Sequence, residues 1–436
     1  MVSTSQQGIR DSLSGIYNSY LHPSVQKRAM IELSESYQIK ADAQTTDIVP
    51  QYSVQNLIRP LFGKGPAQAS AIGDHPDFVH LKRTKIQEKN PIVTLFMDIE
   101  SSTRLGILYP PEDVHRIKNA FICIAIEMVK SFDGHVHRIM GDSVMAFFGG
   151  RNSKTENTVT DSLNCASMIH FFVDKIIIPQ LDSEGYKDSF GIRIGVDYGS
   201  KENVLWASYG YPGIEEVTAT SFYVDSASKL QHSAGRNQVM LGQSLMQHID
   251  FPDVFLETKT FMQDGDSRPE YYIQPNHTDR DGNPINYVQK IFLWEDYLNY
   301  TPLGQSANSG LTNTFNSDVI KMQAELFTKI YGSRLNNYGS CTSFLPKMHG
   351  IKFTAQVNLN KYYPLDVTFT VENHGKQASE QNQLTHSTQQ RINTPQEALE
   401  IVNWESTAYR GLHFLNVEVK TSVGIKYKTS YGVYID

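Results

Sequence analysis

Two aspartates carry the clearest chemistry in this chain. Asp98 closes the apolar run Ile92-Val93-Thr94-Leu95-Phe96-Met97 and leads through Ile99 into Glu100-Ser101-Ser102-Thr103. Asp142 stands in His135-Val136-His137-Arg138-Ile139-Met140-Gly141-Asp142-Ser143-Val144. Carboxylates at the ends or turns of buried strands are placed to hold divalent ions over a triphosphate. Mg²⁺ takes hard oxygen ligands in octahedral geometry, usually with only one or two protein carboxylates among them. Two such ions polarise an attacking hydroxyl, neutralise the α-phosphate and stabilise a leaving pyrophosphate. Residues Ile99 to Thr103 would form a turn offering backbone N–H groups and hydroxyls to phosphate oxygens. The competing account is structural, with Asp98 capping the next helix and Asp142 making a hairpin turn. The two motifs taken together favour the metal site.

The surrounding sequence must position these acids. Ile92–Met97 is nearly all apolar, as in a buried strand. Val114–Phe132 places Ile117, Phe121, Ile124, Ala125 and Met128 at three- and four-residue intervals, an amphipathic helix that Asp133-Gly134 ends. Two strands then flank the Met140-Gly141-Asp142 turn. A helix through Leu163–Ile178, a strand at Phe190–Tyr198, a loop and a helix at Val224–His232 follow. That order, β-α-β-β-α-β, is the ferredoxin-like arrangement.

Before this region, residues 1–88 read as a helical extension with segments such as Val25–Tyr37, packing on the next domain or on a second subunit. The candidate catalytic domain spans 89–275, and polar sequence from Asp264 to Asn286 reads as a boundary. From 287 to 436 one helix near Ile320–Tyr331 precedes β-rich runs at Lys352–Val357, Leu365–Val371, Leu415–Val423 and Tyr427–Tyr434, a sandwich-like domain. The fold class expected is therefore α+β.

Composition narrows the function. A chain of 436 residues has room for two or three cores, and its net charge of −7 argues against nucleic acid or an anionic membrane as partner. An acidic protein still binds nucleotides when Mg²⁺ supplies local positive charge. Its three cysteines are far apart and match neither a disulfide framework nor a zinc spacing. No run approaches the roughly 18 apolar residues of a membrane span. A cytoplasmic protein is expected.

Phe96-Met97-Asp98-Ile99-x-x-Ser102-Thr103, Gly141-Asp142-x-x-Met145-Ala146-x-Phe148-Gly149 and Ile192-Arg193-Ile194-Gly195-Val196-Asp197-Tyr198-Gly199 together resemble class III nucleotidyl cyclase catalytic domains over roughly residues 90–260. The resemblance implies a homodimer with active sites at the interface, two Mg²⁺ or Mn²⁺ ions per site, and attack of a ribose 3′-hydroxyl on the α-phosphate. It assigns metal binding to Asp98, Asp142 and the backbone carbonyl of Ile99; the turn from Ile99 to Thr103 leaves Ser102 and Thr103 as candidates for phosphate contact. Four residues before the second metal Asp, where adenylate cyclases of the family carry Lys and guanylate cyclases Glu, this chain has Arg138. The partner base-reading position falls on Thr218. Where the family has Asn-x-x-x-Arg for transition-state stabilisation, this chain has Asp225 and Lys229. Lys229 keeps the charge of Arg without its fork, and Asp225 adds negative charge beside a triphosphate.

Arg138 is donor-only. It suits the acceptors of uracil, cytosine or guanine and fits adenine worst, while Thr218 donates or accepts. From position alone, pairing with a nearby acid accounts for Arg138 equally well. The C-terminal pattern Val367-x-Phe369-x-Val371-x-Asn373-x-Gly375-x-x-Ala378, then Glu405-Ser406-Thr407-x-Tyr409-x-Gly411-x-His413, resembles the sensor domain of bacterial defence cyclases. Ile72-Gly73-Asp74-His75-Pro76-Asp77-Phe78 is also familiar from that group. The combination is similar to the pyrimidine cyclases of the Pycsar anti-phage system. It implies cyclisation of UTP, with CTP second, to a 3′,5′-cyclic monophosphate. The rivals are an adenylate or guanylate cyclase with an unusual pocket and a catalytically degenerate nucleotide-binding regulator.

Overall fold

The computed structural model describes residues 6–22, 52–69, 72–186, 190–274, 277–304, 319–396 and 399–436. Helices α1 (Gln6–Leu21) and α2 (Ser53–Leu61) form the N-terminal extension. Ile9, Leu13, Tyr17 and Leu21 recur every fourth residue and are buried, the stripe of a helix with one apolar face. They join Val54, Ile58 and Phe62 in one core with the long helix Pro111–Ser131. Arg59 of α2 is buried at the end of that helix and donates to the Lys130 carbonyl at 2.8 Å and to Asp133 at 2.8 Å. It thereby satisfies a carbonyl left over at the helix C-terminus. The expected helical segment Val25–Tyr37 lies outside the described residues.

Helices α3 (Ser102–Leu108) and α4 (Pro111–Ser131) connect β1 (Ile92–Ile99) to β2 (His135–Met140). The hairpin partner β3 (Ser143–Phe148) leads through α5 (Thr155–Phe172), a wider helical turn and α6 (Ile178–Ser183) to β4 (Ile192–Gly199). The strand order β2-β3-β1-β4, with every neighbour antiparallel, is the ferredoxin-like sheet the sequence suggests. A strand at 238–242 adds parallel to β4, and strands at 289–292 and 256–257 follow it, so the sheet continues past residue 275. One face presents Val93, Leu95, Met97, Val144 and Ala146 to the helices. The other presents Met145 and Phe147 to Trp206 and Val217.

Those last two residues belong to an element the sequence reading missed. Where a loop is expected after Tyr198, the chain forms a hairpin of β5 (Leu205–Tyr211) and β6 (Ile214–Thr220). Tyr209, Gly210, Pro212 and Gly213 dominate its composition and mask two short strands. Gly213 at φ 91 closes the turn, a conformation other residues rarely adopt. Helix α7 (Phe222–Ser233) follows and packs back on β4.

The C-terminal unit is a sandwich. Among the described residues, one sheet pairs strands 334–338, 320–327, 350–357 and 399–406, and the other pairs 344–345, 426–435, 411–421, 365–372 and 385–392. Phe353 and Ile401 of the first sheet meet Phe369 and Val417 of the second. The expected helix at Ile320–Tyr331 is instead the strand Ile320–Phe327. Ile320, Ala324 and Leu326 sit at even spacing and are buried, so period two prevails over helix-forming composition.

The two units share a core. Phe344, Leu412, Phe414 and Tyr434 of the sandwich lie in the same buried cluster as Phe255, Tyr297 and Leu298. Asn164, fully buried in α5, donates to the Cys341 carbonyl at 3.0 Å and accepts from the Tyr297 hydroxyl at 3.0 Å.

Candidate active site

Strand β1 is buried until Asp98, whose side chain is 15% exposed at the strand end. The chain then turns through Ser101 in the left-handed region at φ 57 and enters α3. Ser102 and Thr103 open that helix, and neither hydroxyl has a protein partner among the described residues. Ile99 pairs with Ile192 in the ladder and buries its side chain, leaving its role to the backbone. Met97 is opposite Val144, so the Gly141-Asp142 turn lies beside the end of β1. Gly141, at φ 68, makes that turn possible.

Arg193 of β4 stands directly opposite Asp98 and grips it, Nε to Oδ1 at 3.1 Å and Nη2 to Oδ2 at 2.7 Å. The hydrogen bonds that Asp98 accepts, followed by the charges of Asp98, Glu100 and Asp142, hold the Arg193 proton more tightly than usual. Asp98 thus binds the guanidinium directly, and Glu100 and Asp142 act on it through their charge alone. Among the described residues no three or more His, Cys, Asp or Glu side chains converge as a full metal cage. A hard cation that completes its sphere with phosphate and water oxygens needs no such cage. Asp98 keeps further lone pairs beyond the Arg193 fork. The donor chemistry of Asp98, Asp142 and the end of β1 therefore suits a hard divalent cation.

Arg138 reaches its place through a β-bulge. The register of β2 against β3 runs His135 to Phe147 and Val136 to Ala146, then skips His137 and resumes with Arg138 opposite Met145. Strict alternation would put Arg138 on the Val136 face, against the helices. The extra residue turns it to the face of Met145 and the β5–β6 hairpin. There Glu216 of β6 receives it: Arg138 Nε donates to Oε2 at 2.9 Å, and Nη2 bonds Oε1. Thr218 is two residues from Glu216 on the same strand and so on the same face. The acid partner that position alone allowed for Arg138 is present, and it sits beside the second base-reading candidate.

Ile72–Phe78 straps this wall together. His135 Nε2 and His137 Nδ1 bond the Gly73 carbonyl at 2.8 and 3.0 Å, so both rings carry their proton there. Burial lowers the pKa of both, which keeps them neutral. Asp74 accepts the Val217 N–H at 2.8 Å and an ion pair from Lys82 at 2.6 Å, fixing β6 to the same strap. The sequence marked this segment only by its likeness to defence cyclases.

Helix α7 carries Asp225 and Lys229. Ser221 caps it by accepting the Tyr223 N–H at 3.2 Å. Asp225 is exposed in the first turn, and Lys229 one turn on meets His277 Nε2. Behind the helix lies Asp197, fully buried, which the 192–199 motif contains but to which the sequence assigned no role. It accepts from the Ser226 hydroxyl, from Tyr287 at 3.0 and 2.8 Å and from the Tyr198 N–H at 2.9 Å. Burial pushes its pKa up to about 7 against those hydrogen bonds. The structure thus holds three groups: Asp98 and Asp142 around Arg193, Arg138 beside Thr218, and Asp225 with Lys229. No hydrogen bond or ion pair among the described residues joins one group to another.

In the sandwich, His413 is buried and satisfied by the Tyr409 carbonyl at 2.8 Å and the His374 N–H at 3.2 Å. A cavity of about 210 Å³ beside it is lined by Asn373, His386 and Glu405 among others.

Residues 305–436 match the Adenylyl/Guanylyl and SMODS C-terminal sensor domain. A cytidylate cyclase of Escherichia coli is 34% identical over 433 residues, covering 96% of this chain and 88% of that protein. A cytidylate cyclase of Staphylococcus aureus is 32% identical over 384 residues, covering 88% of this chain and 86% of that one. The solved adenylyl cyclase CyaB from P. aeruginosa aligns with 47% of this chain and 95% of its own at 17% identity and a TM-score of 0.36. Likeness to the cytidylate cyclases over nearly the whole length settles the family. The chain belongs to the class III nucleotidyl cyclases that carry a C-terminal sensor domain, the family of these cytidylate cyclases.

Proposed function

We propose that this protein is a pyrimidine nucleotide cyclase that converts CTP to the 3′,5′-cyclic monophosphate and pyrophosphate, as a signal in anti-phage defence. The observation that carries the reading is the pairing of Asp98 and Asp142 at one sheet end, together with Arg138 and Thr218 on one wall. Sequence resemblance placed UTP first. The relatives are named cytidylate cyclases, which supports CTP ahead of UTP.

In this mechanism the 3′-oxygen forms a bond to the α-phosphorus as the bond to the bridging oxygen of the β-phosphate breaks, and the hydroxyl proton leaves to solvent. Divalent ions, when bound, would supply activation of the hydroxyl and charge stabilisation on the pyrophosphate, and Asp98, Asp142 and the Ile99 carbonyl would hold them. Arg193 keeps the Asp98 carboxylate oriented until then. Arg138 and Thr218 face the base. Lys229 balances charge on the transferred phosphate, Asp225 accepts from the ribose, and Ser102 and Thr103 meet phosphate oxygens.

The full site forms between two copies. Tyr209, Tyr211 and Ile214 at the β5–β6 tip are 67%, 75% and 80% exposed, and Ile139 and Met140 are exposed nearby. Apolar residues clustered at a site rim in this way suit a dimer interface. No described helix is long and apolar enough to cross a membrane.

The test incubates purified protein with each of the four nucleoside triphosphates and Mn²⁺ and identifies products by mass. Cyclic CMP is expected as the main product. Asp98→Ala and Asp142→Ala should each abolish it with unchanged thermal unfolding. Turnover retained in either variant would remove the two-ion assignment.

A further inference from the structure

Arg138 cannot by itself tell cytosine from uracil, because a guanidinium only donates and both bases offer acceptors. Its surroundings can. Glu216 holds Arg138 side-on through Nε and Nη2, which leaves the end of the guanidinium uncommitted, the two N–H groups of Nη1 and the outer one of Nη2. The carboxylate likewise keeps lone pairs outside that fork. Both side chains are open to solvent, 42% exposed for Arg138 and 32% for Glu216. The wall beside Thr218 therefore presents donors next to an acceptor.

We infer that Glu216 is the specificity-determining residue that selects cytosine over uracil, an inference that rests on Arg138 and Thr218 facing the base. The pairing edge of cytosine runs O2 acceptor, N3 acceptor, N4 amine donor. At the free end of the guanidinium Nη1 donates to O2 and the outer N–H of Nη2 to N3, and the Glu216 oxygen beside Nη2 accepts from the N4 amine. Uracil reverses the last two positions: N3–H meets the Arg138 donors, and O4 meets the carboxylate. Acceptor against acceptor leaves a charged group unpaired beside a carbonyl, which rejects the wrong base more strongly than a missing contact would. The bulge at His137 is what brings Arg138 to this partner. No motif spacing contains Glu216, because the pair joins two strands far apart in sequence.

The experiment compares the full-length wild type with Glu216→Gln and Glu216→Ala, measuring kcat/KM for CTP and for UTP with Mn²⁺. Loss of a charged hydrogen bond should lower the CTP-to-UTP ratio roughly ten- to a hundredfold, chiefly through KM for CTP. The Gln amide should recover part of the UTP rate, since it can rotate to donate to O4. A ratio unchanged within twofold while both substrates slow in parallel would overturn the inference and reduce Glu216 to a support for Arg138. If the variants turn over too slowly, binding of the non-cyclisable α,β-methylene analogues of CTP and UTP gives the same ratio. A cytidine preference erased by Glu216→Gln supports the assignment; one that persists, or is absent from the wild type, overturns it. A cyclic purine product from the wild type would overturn the proposed function and this inference together. Cyclic pyrimidine with an unmoved ratio defeats the inference alone.

Discussion

Gly195 carries no side chain to do chemistry, yet replacing it by alanine should slow turnover about a hundredfold. It lies on β4 where α7 crosses, and a Cβ there would come within 2.2 Å of the Gln231 nitrogen, 2.3 Å of the Ala227 carbonyl oxygen and 2.8 Å of the Gln231 Cα. All three are helix backbone, so no side-chain rotation relieves the clash. Non-bonded atoms of this kind settle at about 3.5 Å, so Gly195→Ala must drive α7 off the sheet by roughly 1 Å. The helix carries Asp225 and Lys229 and the Ser226 hydroxyl bonded to Asp197. A displacement of that size in positioning groups costs on the order of a hundredfold in turnover. Overpacking costs about 1–3 kcal/mol in stability. Steady-state pyrophosphate release with CTP and Mn²⁺, alongside thermal unfolding, reads both numbers. The control is Gly15→Ala in α1, where a Cβ meets nothing within 4 Å. Helix propensity should make that variant about 0.5–1 kcal/mol more stable, with turnover unchanged. A Gly195→Ala enzyme within threefold of wild type would refute the idea that the seat of α7 on β4 sets the position of Lys229.

Two further substitutions test the buried polar groups. The folded-state pKa of Asp197 is raised to about 7, so the unfolded chain releases this proton at lower pH than the folded one. Wild-type stability contributed by this group is therefore highest in acid and falls as pH rises toward about 7, by at most roughly 1.4 kcal/mol per unit. Asp197→Asn removes that slope, and urea midpoints measured from pH 5 to 8 should show the variant gaining on wild type as pH rises; parallel curves would contradict the shifted carboxyl. Asn164→Ala strips partners from the Tyr297 hydroxyl and the Cys341 carbonyl in the shared core. It should cost roughly 2–4 kcal/mol and lower one unfolding transition. Two separate transitions, with only one of them moved, would argue against a common core.

The catalytic sheet was legible because its signals are local. The apolar run before Asp98 and the three- and four-residue stripe of α4 each needed only a short window, and both lie where expected. The 205–220 hairpin was not legible, since Pro and Gly at its tip outweigh seven-residue strands on either side. Ile320–Phe327 failed for a different reason: its residues suit either period, and only the partner strand decides. Among candidate site residues, Asp98 and Asp142 stood out by their setting at strand ends and turns, and Arg138 and Thr218 only through the resemblance to class III cyclase motifs. Arg193 was quoted within a motif without a role. Asp197 was likewise quoted within that motif without a role, and Glu216, which lies in no motif, gains meaning only from a contact across the fold.

The shared core behind α5 also bears on how such a protein can change over generations. With Phe414 and Tyr434 in the same interior as Tyr297, the sensing half has no finished surface of its own on that side, and neither has the synthetic half. A gene that lost or exchanged one half at the junction would leave aromatic side chains facing water in the other. Substitutions on the outer strands, such as the polar edge 385–392, leave that interior undisturbed and need no matching change in the other half.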